Sequence, residues 1–422
     1  MNKDSTQLAK DVLARCGILA RFSEDSDGIR RTFLSAPMHD CHLEISSWMK
    51  ALGMRVSVDA VGNLRGVYSS TPGNAGEAPR ILIGSHLDTV PNAGAFDGIL
   101  GVVLAVSLVE SLGVERLPFA IEVIGFAEEE GVRFRVPFIG SRALVGRVDD
   151  ELLERTDQRG VSVRAALEDF GLDPGQVQKA ALGDDVLGYI EFHIEQGPVL
   201  ENVGRPLAAV ESIVGQTRME FTFCGQANHA GTTPMNLRHD ALAAAAEWIV
   251  GVEALAQRTA GLVATVGSLE AKPGVVNVIA GSVRVTLDVR HASDRARTEA
   301  VDDLIRQAKL IAARRGLSVE WRKLLERQAV PLDPFLTRQI ELAMQKAGCE
   351  PYRMASGAGH DAMILAEKIP AAMIFLRSPG GVSHDPSEAI ELNDVAKALA
   401  CGRHLMAQLA SSQEFLGRTC RA

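Results

Sequence analysis

The sequence predicts an α/β protein whose central mixed sheet, flanked by helices, is interrupted by a smaller α+β domain of ferredoxin-like order. Three observations carry this. A chain of 422 residues exceeds one typical core and points to two domains. Buried-looking strands alternate with helical patterns up to about residue 210 and again near the C-terminus, the pattern of a sheet covered on both faces. Between residues 213 and 328 the order changes to β-α-β-β-α-β, which closes as one sheet with two helices on one face. The expected division is residues 1–212 with 329–422 as one domain, and 213–328 as an insert.

The first-domain strands are "RILIGS" (80–85), "FAIEVIGFA" (119–127) and "LGYIEFHIE" (187–195). The insert opens with a strand at 217–224, where Met219, Phe221 and Phe223 alternate with Arg218, Glu220 and Thr222. An Ala-rich helix follows (239–258), Ala being the best helix former. Strands at 262–269 and 282–290, a helix at 293–315 and a strand at 317–324 complete it. The first domain resumes with the strand "AAMIFL" (371–376) and a helix from about Leu392 to Ala410.

Composition excludes several classes. The formal charge of −9 lacks the concentrated positive surface that nucleic acid requires. The most apolar stretch, Ile99 to Val109, is too short to span a bilayer, and "MNKDSTQLAK" has no apolar signal-peptide region. Cysteines 16, 41, 224, 349, 401 and 420 stand singly with no CxxC, which fits reduced thiols in a cytoplasmic protein. Any metal must then be held by His and carboxylate.

Five of the ten histidines (39, 42, 239, 291 and 404) sit in helical or charged contexts and read as surface residues. The other five stand in motifs rich in Gly, Asp or Glu. In "GSHLDTVPNAGAFDGILG", His86 follows a strand, and the Asp88 carboxylate two residues on could fix its tautomer. Asp97 could reach the same ion, or simply cap the apolar helix after Gly98. A cis Asp97–Gly98 bond, strained by ~3–4 kcal/mol, is a further expectation for this loop. In "GFAEEEGVRF", Glu129 and Glu130 form either a solvated acidic loop or a cation site at the sheet's carboxyl edge. "YIEFHIEQGP" places Glu191, His193 and Glu195 on one strand face, costly to bury unless it lines a site. "GVSHDPSE" sets His384 in another loop after a strand. Two cations about 3.5–4 Å apart need about this donor set, with a carboxylate to spare as base.

These stretches, with "GQANHAGTTPM", "GVVNVIAG", "DVRH" and "SGAGHDA", resemble the amidase, hydantoinase and carbamoylase branch of the di-zinc aminoacylase/carboxypeptidase family. The resemblance implies two divalent ions, expected as Zn²⁺, with Mn²⁺, Co²⁺ and Ni²⁺ also suited to such donors. It implies His86 and His384 as terminal ligands on different ions, Asp97 as the bridge, Glu130 and His193 completing the pair, and Glu129 as general base with Asp88 behind His86. His229 would stabilise the oxyanion, Asn277 and Arg290 would hold a substrate carboxylate, and Gln196, Gly359 and His360 would frame the other end. Glu128 stands where the family often has Asn or Asp and is expected outside the ligand set. The implied activity is hydrolysis of the ureido group of an N-carbamoyl-L-amino acid by a homodimer joined through its lid-like insert. Allantoate amidohydrolase shares every catalytic residue named and β-ureidopropionase belongs to the same branch, so the small-molecule substrate stays open among them. A non-catalytic binding protein on this scaffold would be expected to lack a ligand or the base, and all six positions are present.

Overall fold

The computed structural model describes residues 5–70 and 78–418. The chain divides into two compact units, residues 1–211 with 331–422, and residues 212–330. The first unit is built on a nine-stranded mixed sheet. At its centre Ala120–Phe126, Arg80–His86, Val186–Ile194 and Ala371–Leu376 run parallel, in that spatial order. Strands of a covered parallel sheet are buried on both faces and so read as continuous apolar runs. Accordingly every residue of Ala120–Phe126, Val186–Ile194 and Ala371–Leu376 is buried. The edges are antiparallel: Leu64–Tyr68 with Arg55–Val58 on one side, Leu207–Ile213 on the other.

Helix Ile99–Leu112 buries every residue but Glu110 and packs with Ser5–Leu19, Pro334–Lys346 and Leu392–Ser411 in the main core. A second cluster, including Phe33, Phe134, Ile139 and Leu167, gathers the short helices Ile139–Leu144 and Val163–Asp169. The parallel strands end on one side of the sheet. His86, the Glu128–Glu130 segment, His193 and the loop after Leu376 all lie at those carboxyl ends.

The second unit is a five-stranded antiparallel sheet in the order Ser318–Arg327, Gly215–Cys224, Ser282–His291, and then two short strands end to end along the last. Helices Ala241–Arg258 and Asp294–Arg314 cover it, with Trp248 packed on Phe221 and Phe223 and its indole N–H donating to the Leu304 carbonyl. This is the ferredoxin-like order. The strand expected at 262–269 is in two pieces, Val263–Thr265 and Leu269–Lys272. The Thr286 hydroxyl accepts the Ser268 N–H at 3.0 Å, a side-chain bond that interrupts the ladder.

Cys16, Cys41, Cys224, Cys349 and Cys401 are free thiols, and Cys420 lies outside the described residues. Among the described residues no helix is long and apolar enough to cross a membrane.

One histidine departs from expectation. His42 is 4% exposed, on the buried stripe of Ala36–Ala51 with Met38, Cys41, Ile45 and Met49, and its ring meets Phe170 edge-on. Burial, helped by His39 and Arg31, pulls its pKa down to about 4. The unfolded chain takes this proton below the ordinary value near 6.5, whereas the fold resists until about 4. Stability is therefore lost as pH falls through that window, by about 3 kcal/mol. In urea unfolding, His42→Leu should lessen the acid-induced loss by about 2–3 kcal/mol; an unaltered pH dependence would assign the loss elsewhere.

Candidate metal centre

His86 closes its strand with the ring turned into the sheet's carboxyl edge. Its Nδ1 lies 3.0 Å from the Asp88 main-chain carbonyl, but 3.6 Å from the Asp88 carboxylate. The tautomer is thus fixed by the backbone, contrary to the expected carboxylate contact. The Asp88 carboxylate is taken instead by the main-chain N–H groups of Glu129 and Glu130, at 2.9 and 3.0 Å. It holds the acidic segment in place.

Two further expectations for this loop are corrected. Among the described residues the cis bond is Lys272–Pro273, so Asp97–Gly98 is trans. Gly98 makes the sharp turn by itself: at φ 67° and ψ −56° it lets the Ile99 N–H donate to the Asp97 carbonyl at 2.8 Å, a γ-turn. Gly is required there, because an added Cβ would fall 2.4 Å from the His86 ring. Nor does Asp97 cap the helix, since Gly98 is the N-cap and no side chain among the described residues caps it.

The Asp97 carboxylate faces two ways. Oδ1 lies 3.2 Å from His193 Nε2 and 3.7 Å from His86 Nε2, and Oδ2 lies 3.2 Å from His384 Nε2. His193 Nδ1 is spent on the Ile194 carbonyl at 2.9 Å. A carbonyl only accepts, so both rings carry their neutral-state hydrogen on Nδ1 and turn bare Nε2 lone pairs toward each other, 3.3 Å apart. Asp97 Oδ1, buried and without a hydrogen-bond partner among the described residues, is the third acceptor at that point. Three converging acceptors repel unless a cation sits among them. Protons can serve: burial opposes charge on both rings, but Asp97, and for His86 also Asp88, outweighs it and raises both pKa values. His and carboxylate donors in this arrangement equally suit a divalent metal.

Around this point His86, Asp97 and His193 form one group able to hold an ion, and Asp97, Glu130 and His384 form another, with Asp97 common to both. Glu129 joins His86 and Glu130 in a third. Burial, reinforced by neighbouring carboxylates, raises Glu129 well above the usual carboxylate range and lifts Glu130 to about 7. Fully buried Glu128 belongs to none of the groups and accepts the Gly131 N–H at 2.6 Å. Glu195, expected on the strand's polar face, caps the helix Val199–Asn202 through the Val199 and Leu200 N–H groups. Glu191 stays inside, bonded to Ser85 and the Ala362 N–H.

Gln196 adopts φ 59°, strained for a non-glycine residue, and donates to Asp97 Oδ2 at 2.9 Å, while its Oε1 has no partner among the described residues. Buried His360 packs edge-on against His193 with its Nε2 on Ser356. Gly359 lies against Phe138 where a Cβ would clash. In residues 212–330, exposed His229 accepts the Gly231 and Thr232 N–H groups on Nδ1, which leaves Nε2 as its outward donor. Asn277 is exposed, and Arg290 makes two bonds to Asp288, at 3.0 and 3.2 Å.

Residues 82–408 match Peptidase family M20/M25/M40. The chain belongs to this family. It is 38% identical to the N-carbamoyl-L-amino acid amidohydrolase of Geobacillus stearothermophilus, over 92% of this chain and 95% of that one. It is likewise 38% identical to allantoate deiminase 1 of Glycine max, over 92% and 87%. Its fold matches the crystal structure of a hydantoinase/carbamoylase family amidase from Burkholderia multivorans with a TM-score of 0.89 at 29% identity, covering 96% and 98% of the two chains.

Two polar residues of this family member were not singled out by sequence. Ser378 accepts the Gln196 N–H at 3.1 Å, and Glu388 accepts the main-chain N–H groups of Phe96 and Asp97. Burial and the nearby Asp97 charge lift Glu388 to about 7. Both contacts bridge segments far apart in the chain, so no local pattern signals them.

Proposed function

We propose that the protein is a metal-dependent amidohydrolase that cleaves the ureido group of an N-carbamoyl-L-amino acid to the amino acid, ammonia and carbon dioxide. The observation that supports it most is Asp97, whose two oxygens face two separate His/carboxylate groups with Glu129 alongside. On this reading His86, Asp97 and His193 hold one divalent ion, and Asp97, Glu130 and His384 the other. When bound, the ions supply a water acidic enough to ionise near neutral pH. Glu129, its pKa raised by burial, accepts the proton and returns it to the departing nitrogen. His229 donates from Nε2 to the oxyanion, Arg290 and Asn277 take the carboxylate, and Gln196, Gly359 and His360 frame the ureido end. The protein acts as a cytoplasmic homodimer.

A second reading, allantoate hydrolysis, is supported by the equal identity to the Glycine max protein. Both substrates join a ureido group to a carboxylate. Ammonia release from a panel of N-carbamoyl-L-amino acids beside allantoate separates them, and release from none would remove both. Within that panel Arg290→Ala should raise KM by about 10- to 100-fold for carboxylate-bearing substrates; unchanged KM and kcat would refute the clamp.

A further inference from the structure

Asp97 must present one oxygen to His86 and His193 and the other to His384 at the same time. That places a tight demand on its main chain, which follows a glycine-rich loop and precedes the γ-turn at Gly98. Such donors need positioning within about 0.5 Å, set by surrounding bonds. For Asp97 those bonds come from Glu388.

Glu388 is buried, 291 residues away in sequence, and its Oε1 accepts both the Phe96 N–H at 2.9 Å and the Asp97 N–H at 3.0 Å. Its other oxygen faces the Ser383 hydroxyl at 3.4 Å, and the same hydroxyl lies 3.4 Å from Asp97 Oδ2. The turn that carries Glu388 is itself fixed, since Glu388 N–H donates to the Asp385 carbonyl and Ser387 bonds the Asp385 carboxylate twice. The approach is close: a Cβ on Gly94 would fall 2.4 Å from the Glu388 Cβ and 2.5 Å from Oε1. Glu388 and Asp88 use one device, a buried carboxylate accepting two consecutive main-chain N–H groups of a donor segment.

We propose that Glu388 is a positioning residue: it holds the Asp97 main chain against the His384 loop, and thereby sets the geometry of the donor pair shared between the two loops. This rests on the metal-centre reading above. Glu388 acts as a hydrogen-bond acceptor, not as a ligand, and its negative charge is not what is required.

The test compares wild type, Glu388→Ala, Glu388→Gln and Gly94→Ala by Zn²⁺ affinity in chelator competition and by kcat and KM on the best substrate of the panel. Circular dichroism melts establish which variants fold. Glu388→Ala should bind the weaker Zn²⁺ about 10- to 100-fold less tightly and lose kcat similarly, with KM moved little, as for other residues that orient ligands. Glu388→Gln should recover most of both, because its amide oxygen accepts the same two N–H groups. Gly94→Ala should reproduce the Ala phenotype by displacing Glu388, and it carries the test with Gln if Glu388→Ala does not fold. A folded Glu388→Ala or Gly94→Ala with wild-type affinity and kcat overturns the proposal, as does a Glu388→Gln as impaired as Ala, which would make the charge essential. Wild type that binds no Zn²⁺ and cleaves no ureido substrate overturns the metal-centre reading itself, and the same series shows that separately.

Discussion

Glu129→Gln should keep its metal and lose about 10²- to 10⁴-fold in kcat. Gln matches Glu in shape, and the Asp88 carboxylate still holds the main-chain N–H at position 129, so the side chain stays in place. What disappears is the capacity to accept a proton. Burial, with neighbouring carboxylates, raises Glu129 well above its ordinary value, toward the pH at which a base is most effective. The sign of the pH effect follows. The ionised form is the active one, so kcat/KM falls as pH drops through the raised pKa, and in Glu129→Gln the residual rate should lose that acid limb. Near-normal turnover in the variant would remove Glu129 as the base.

Asp97→Asn should strip the centre. Asp97 Oδ1 stands beside the facing Nε2 atoms of His86 and His193, and Oδ2 beside His384. Replacing the carboxylate with an amide removes the negative charge common to both groups while leaving the rings in position. Breaking a buried charge pair by removing one partner costs about 3–5 kcal/mol, which is roughly 10²- to 10⁴-fold in affinity. Metal analysis of the purified variant should find less than one ion per chain, with ammonia release lost in proportion. A variant that retains full metal content would show that Asp97 is not shared between ions.

What the sequence makes legible follows from what is local. The parallel strands are mostly apolar runs because both faces are buried; His86 closes one of them, His193 stands near the end of another, and Glu130 comes shortly after a third. The antiparallel edge Arg55–Val58 and Leu64–Tyr68 is short and partly exposed, so it leaves no comparable run. His42 could have been found: it falls on the helical stripe of Met38, Cys41, Ile45 and Met49. The role of Asp88 could not, since its spacing to His86 suits a carboxylate contact as well as the main-chain bond that forms. Glu388 meets Asp97 only through the tertiary fold, and the turn at Gly98 depends on φ and ψ values that a glycine permits without announcing.

The most direct test is the metal content of the purified protein together with its response to a chelator. Two ions per chain are expected, with ammonia release abolished on their removal and restored by Zn²⁺, Mn²⁺, Co²⁺ or Ni²⁺. Protein free of metal that cleaves ureido substrates at an undiminished rate in chelator would contradict it.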